Sequence, residues 1–143
     1  MIRTFARWTV SLYCLVCIAS CNNNSGSEEL IAINGEWEAA EGSHLKDNEE
    51  AYLNISENWL FLYGPHPNPQ QDCLDKLEFG LNKGEANTHT LYNPLFPDQQ
   101  FVLAVTKESD GMIRFHVSND ESNFYVIAQK QSFDERKLTL CTQ

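Results

Sequence analysis

The chain has 143 residues, 42% of them hydrophobic, with ten basic against twenty acidic side chains and a formal charge of −10. That length allows one core of ordinary size and not two. So negative a surface repels nucleic acid and anionic lipid, while favouring solubility and encounter with basic partners.

Met1 to Arg7 holds two cations, Arg3 and Arg7, no acid occurs before Glu28, and Trp8 to Ile18 is mostly apolar. Positive charge followed by a short apolar run is the order of a secretory signal. A helix over that run rises only about 16 Å, well short of a hydrocarbon core of about 30 Å. The run ends in Ile18-Ala19-Ser20-Cys21, which resembles the lipobox of bacterial lipoproteins. The resemblance implies that residues 1–20 are a signal peptide, and that Cys21 is the lipid attachment site, carrying a diacylglycerol and, on its new amino terminus, a further acyl chain such as palmitate. Two or more chains hold a protein on a membrane far longer than one. Asn22 after the cysteine, by the sorting rule of enteric bacteria, implies the outer membrane of the cell envelope. Residues 21–29 bury almost nothing and read as the lipidated cysteine and its tether, leaving 30–143 as a single domain.

Cys14 and Cys17 leave with the signal and Cys21 takes the lipid, so Cys73 and Cys141 remain. In an oxidising compartment an even remainder reads as a disulfide, here closing a long loop worth roughly 4 kcal/mol in the chain-entropy model. No Cys-x-x-Cys survives maturation, so a redox pair or a metal site lacks its usual spacing.

Beyond residue 30 the pattern alternates with period two, with turn residues between the runs. A first strand is expected at Asn34-Gly35-Glu36-Trp37. Leu53 and Ile55 alternate with polar neighbours, Glu57-Asn58 turns, and Trp59 to Tyr63 forms a second, largely buried hairpin strand. Gly64 to Pro69, with three prolines, is excluded from a central strand and reads as a rigid loop. Cys73 to Phe79 is extended, Gly80 to Gly84 breaks it, and Asn87 to Tyr92 follows before a second loop at Asn93 to Asp98. Phe101 to Thr106 and Met112 to Val117 flank an Asp110-Gly111 turn. Asn123 to Lys130 and a final strand at Lys137 to Cys141 complete about eight or nine strands.

Short connections between sequence neighbours favour a meander, and closure removes exposed edges. The expectation is an all-β, antiparallel up-and-down barrel of about eight strands. Gly35-Glu36-Trp37, at the first strand, resembles the Gly-x-Trp signature of lipocalins and related calycin barrels. The resemblance implies a lipocalin-like fold in which Gly35 lets the first strand bend and Trp37 plugs the closed end. It also implies a cation stacked on Trp37 from the last strand, for which Arg136 or Lys137 is placed.

Chemistry is sparse. His44, His66, His89 and His116 are widely spaced, form no metal-ligand motif and read as surface residues. His66 is the functional candidate among them, because it lies in the proline-rich loop and loops carry function more often than strands do. The carboxylate pairs Glu49-Glu50, Asp120-Glu121 and Asp134-Glu135 lie at turns, without the burial that acid–base catalysis needs. No serine elbow, phosphate loop or zinc helix occurs, so no enzyme activity, cofactor or metal is expected. Trp59, Phe61 and Tyr63 share one strand face, opposite Leu60 and Leu62. In a hollow barrel they would line a pocket for a small apolar or amphipathic ligand. In a filled one, the acidic exterior and stiffened loop would instead meet a basic protein, as envelope lysozyme inhibitors do, or the domain would be purely structural.

Overall fold

The computed structural model describes residues 29–44 and 50–142; the signal segment, Cys21 and the tether up to residue 28 lie outside them. Eight antiparallel strands follow one another around a closed barrel, the last hydrogen-bonded to the first. They are β1 (Gly35–Ala39), β2 (Tyr52–Ile55), β3 (Trp59–Pro65), β4 (Leu74–Lys83), β5 (Thr88–Asn93), β6 (Phe96–Lys107), β7 (Ile113–Ser118) and β8 (Asn123–Lys130). This is the expected lipocalin-like, up-and-down architecture.

Alternation decides which side chains enter. Residues directly opposite in an antiparallel ladder share a face, and β2 pairs with β3 through Leu53↔Leu62 and Ile55↔Leu60. That row continues through Leu60↔Phe79 and Leu81↔Leu91. With Trp37, Leu103, Val105, Phe115, Val117, Val126 and Ala128 it forms one continuous core. Each buried side chain of Leu, Val or Phe size contributes about 1.5–3 kcal/mol, so this core is the main support of the fold.

One end of the barrel is closed. Trp37 is buried there, edge-on to Phe115 at 5.2 Å, and its indole Nε1–H donates to the Ile33 carbonyl at 2.8 Å. The chain entering β1 is tied across this end. The Ile31 amide donates to Asn87 Oδ1 at 2.8 Å, while Lys107 pairs with Glu29 at 2.6 Å. Gly35 has φ +126°, and a Cβ there would lie 3.0 Å from Lys130 Cε. The backbone conformation at 35 strains any side chain, and Lys130, which crosses the position, would have to shift its flexible end to admit one.

Five details differ from the sequence reading. Gly64 and Pro65 are the end of β3 and not loop, paired with Asp75 and Leu74; the proline is tolerated because pairing with β2 ends at Tyr63, which leaves that edge free. The strand β4 does not break at Gly80. It runs on to Lys83, because Gly80 lies beneath the ring of Tyr92, where a Cβ would meet Cζ at 2.0 Å; the glycine is room for an aromatic neighbour and no stop. The second loop is only a tight turn, and β6 begins at Phe96. Pro97 is tolerated there because the ladder jumps from Tyr92↔Gln100 to Asn93↔Phe96, so no bond is asked of its nitrogen. The Lys137 to Cys141 segment is not a barrel strand. After a 3₁₀ turn at Glu135–Lys137 it lies outside, joined by a parallel bridge between Leu140 and Leu74. Consequently the cation over Trp37 is neither Arg136 nor Lys137. It is Lys130, 5.8 Å from the ring, because the true last strand β8 sets Lys130 opposite Trp37.

Candidate functional site

Among the described residues, side chains fill the interior of the barrel. A residual void of about 10 Å³ remains, lined only by apolar residues, among them Leu62, Phe79, Phe124 and Val126. That is room for about one water, and the lining offers no polar partner to hold one. Ligand pockets measure roughly 300–1,000 Å³. Leu60 and Leu62 point into this interior; Trp59, Phe61 and Tyr63, the expected ligand-lining face, point out of it. Both faces of β3 are apolar, so composition could not say which was inner; the pairing of Leu60 and Leu62 with the inner faces of β2 and β4 did.

The outward aromatic face is itself largely covered. Tyr63 is 1% exposed, with Phe133 edge-on to it at 5.5 Å and tilted against Tyr52 at 4.9 Å. The Lys76 ammonium lies 4.8 Å from the Phe61 ring centre and 5.5 Å from that of Tyr63, and it pairs with Glu135 at 2.7 Å. That hydrogen bond raises the pKa of Lys76 and lowers that of Glu135, while burial raises the Tyr63 phenol. The C-terminal segment thus acts as a strap over β2–β4.

Where the strap crosses the start of β4 it borders an open groove of about 510 Å³. Its walls include Glu50, His66 and Pro69 from one side and Lys137 to Thr139 from the other. The proline-rich loop that forms it is braced from within: the Asn68 amide donates to His66 Nδ1 at 3.0 Å, and the Gln70 amide to Asn68 Oδ1 at 3.1 Å. Its two ends are joined by the His66 amide donating to the Cys73 carbonyl. Cys73 is bonded to Cys141, with Cα atoms 5.1 Å apart across a sequence separation of 68. The Leu74 amide donates to Thr139, and the Cys141 amide to Leu74, at 2.8 and 3.0 Å. Around the disulfide, ligand atoms of His66, Asp75 and Cys141 all lie within 4.8 Å of one another.

Of the sequence-marked residues, the structure brings together Gly35 with Trp37 at the closed end, and His66 with Cys73 and Cys141 at the groove. Cys21 lies outside the described residues. Among the histidines, His89 is not at the surface. It is 7% exposed on the inner face of β5, and neither ring nitrogen has a hydrogen-bond partner among the described residues. Burial, with Lys83 nearby, pushes its pKa below the ordinary 6.5. The alternation of His89 with Leu91 was the available signal. Asp75, on β4 beside the disulfide, was missed, since a lone aspartate on a strand carries no motif. No family model matches the chain, and no curated protein matches its sequence.

Proposed function

We propose that the chain is a non-catalytic, lipid-anchored protein of the cell envelope that binds through its outer surface, its acidic exterior and braced loop meeting a basic protein. The single observation that carries this reading is the contrast between an interior with about 10 Å³ of space and an outer groove of about 510 Å³ beside the braced loop. The small apolar ligand of a hollow barrel would have to displace core side chains to enter. Charge supports the outer surface. Cations hold Glu29, Glu108, Asp134 and Glu135, but among the described residues none lies within bridging distance of Glu36, Glu38, Asp72, Asp98 or Glu121. Their field attracts a basic partner and raises its encounter rate.

Ionic strength tests the reading. Binding of a basic protein recovered with the chain from its own host should weaken steeply as the Debye length falls from about 30 Å at 0.01 M to about 3 Å at 1 M salt. Salt-indifferent binding, or native mass spectrometry showing a retained apolar molecule in place of a basic protein, would return the function to the barrel interior. The anchor is tested separately. Cys21→Ala should release the protein from membranes or leave an uncleaved precursor; a normally processed variant still held on the membrane defeats that part.

A further inference from the structure

We infer that the Cys73–Cys141 disulfide masks a metal site that a dithiol can open. In the reduced chain Cys73 and Cys141 supply two thiolates, and His66 and Asp75 complete four ligands for a zinc-class divalent ion.

The placement is specific. His66 follows β3, Asp75 lies in the first residues of β4, and Cys141 comes from the strap, yet one ligand atom of each lies within 4.8 Å of the others. Cys73 adds a fourth donor because its sulfur is bonded to that of Cys141. Two sulfurs, a ring nitrogen and a carboxylate oxygen suit tetrahedral zinc, whose bond lengths set donors about 3.4–3.8 Å apart. Side-chain shifts of about 1 Å therefore close the site. The four residues are half-buried, and His66 and Cys73 line the outer groove, so reductant and ion both have access.

Opening the disulfide does not scatter the ligands. The Leu74–Thr139 and Cys141–Leu74 backbone bonds keep the strap against β4, and the Lys76–Glu135 pair and Phe133 hold it upstream. His66 keeps its place through its amide, which donates a hydrogen bond to the Cys73 carbonyl. A metal competes with the Asn68 amide for the lone pair of the neutral ring, and that amide, at an exposed turn, is free to bond water instead.

The electrons balance through a dithiol of the thioredoxin class. One of its thiolates attacks a sulfur of the Cys73–Cys141 pair and forms a mixed disulfide; its second thiol resolves it. The reductant leaves as a disulfide and the chain keeps two thiols. The divalent ion then displaces both thiol protons as two metal–sulfur bonds form. In the oxidised chain the sulfurs carry no charge and the site stays masked. Redox state thereby controls metal occupancy beside the groove.

The test uses the full chain extracted from membranes in detergent, reduced with dithiothreitol, freed of it without oxygen, and titrated with Co(II). One equivalent should bind with a thiolate-to-cobalt charge-transfer band and intense tetrahedral d–d bands, and the oxidised chain should show neither. His66→Ala and Asp75→Asn should each weaken binding by at least about tenfold, the lower end of what loss of even an outer-shell partner costs, while the charge-transfer band persists. Absence of these bands in the reduced chain, unchanged affinity in both variants, or equal binding by the oxidised chain overturns the inference. So does loss of the β-sheet circular dichroism in the reduced, cobalt-loaded chain, because the site depends on the strap staying on the barrel.

Discussion

The inside of the barrel and the outer face of β2–β4 are both rich in aromatic and aliphatic side chains, and both are covered, but by different means. Inside, Trp37, Phe115 and the surrounding aliphatics cover one another from all eight strands. Outside, Tyr52 and Tyr63 are covered by a single segment, the strap carrying Phe133 and Glu135, which is held by one disulfide, one ion pair and a few backbone bonds, and Phe61 lies under Lys76 of β4. A core closed on itself has no room and no separable part. A strapped face has an edge, and at that edge the loop, the groove and the disulfide meet. In this barrel the groove and the disulfide lie where a segment crosses the outside, and not in the packed interior.

If that contrast is right, the largest effect lies inside. Trp37→Ala should cost about 3–5 kcal/mol, read as a fall in the urea midpoint at unchanged m-value. Trp37 fills the closed end, meets Phe115 and donates to Ile33. A loss near 1 kcal/mol would mean that the interior is loosely filled and the contrast overdrawn.

His89 is the buried polar residue of the interior among the described residues and gives a smaller, pH-dependent effect. Its folded pKa lies below 6.5, so the folded chain keeps it neutral while the unfolded chain takes up a proton. Stability is full above pH 6.5 and should fall as pH drops from there toward the lowered value, where the loss stops. His89→Leu should remove that slope and, by deleting two unpartnered ring nitrogens, stabilise by about 1 kcal/mol. Urea midpoints across pH 7 to 5 check both; an unchanged slope would place His89 in contact with water.

The strap gives the smallest effect. Glu135→Gln should cost about 0.2–1 kcal/mol, because Lys76 and Glu135 are 35% and 43% exposed and solvent screens the pair. Its sign in pH is that of a lowered carboxylate: the contribution is present above the ordinary 4.5 and lost as pH falls through the folded value. Hydrogen exchange of the Leu74 and Cys141 amides should quicken in the variant, with core amides such as Leu103 unaffected. Equal quickening in both places would show that strap and core open together.

Much of this molecule was legible in residue order. Alternation and turn residues carried the all-β class and the closed meander, because a period of two with short connections leaves few other ways to bury the apolar half. Elimination among five cysteines left Cys73 and Cys141 as the pair, and Gly35-Glu36-Trp37 marked the closed end. Tertiary structure decided the rest, and one physical reason recurs. Alternation sorts side chains into two faces without saying which is inner, so on β3, apolar on both faces, only pairing with β2 and β4 turned Leu60 and Leu62 inward and left Tyr63 to the strap. Alternation likewise could not tell a ninth barrel strand from a segment lying on the outside, so Lys130 and not Arg136 or Lys137 crosses Trp37. The approach of His66 and Asp75 to the disulfide is a contact between a loop and a distant C-terminal segment, and only the closed barrel brings those two pieces of chain to the same place.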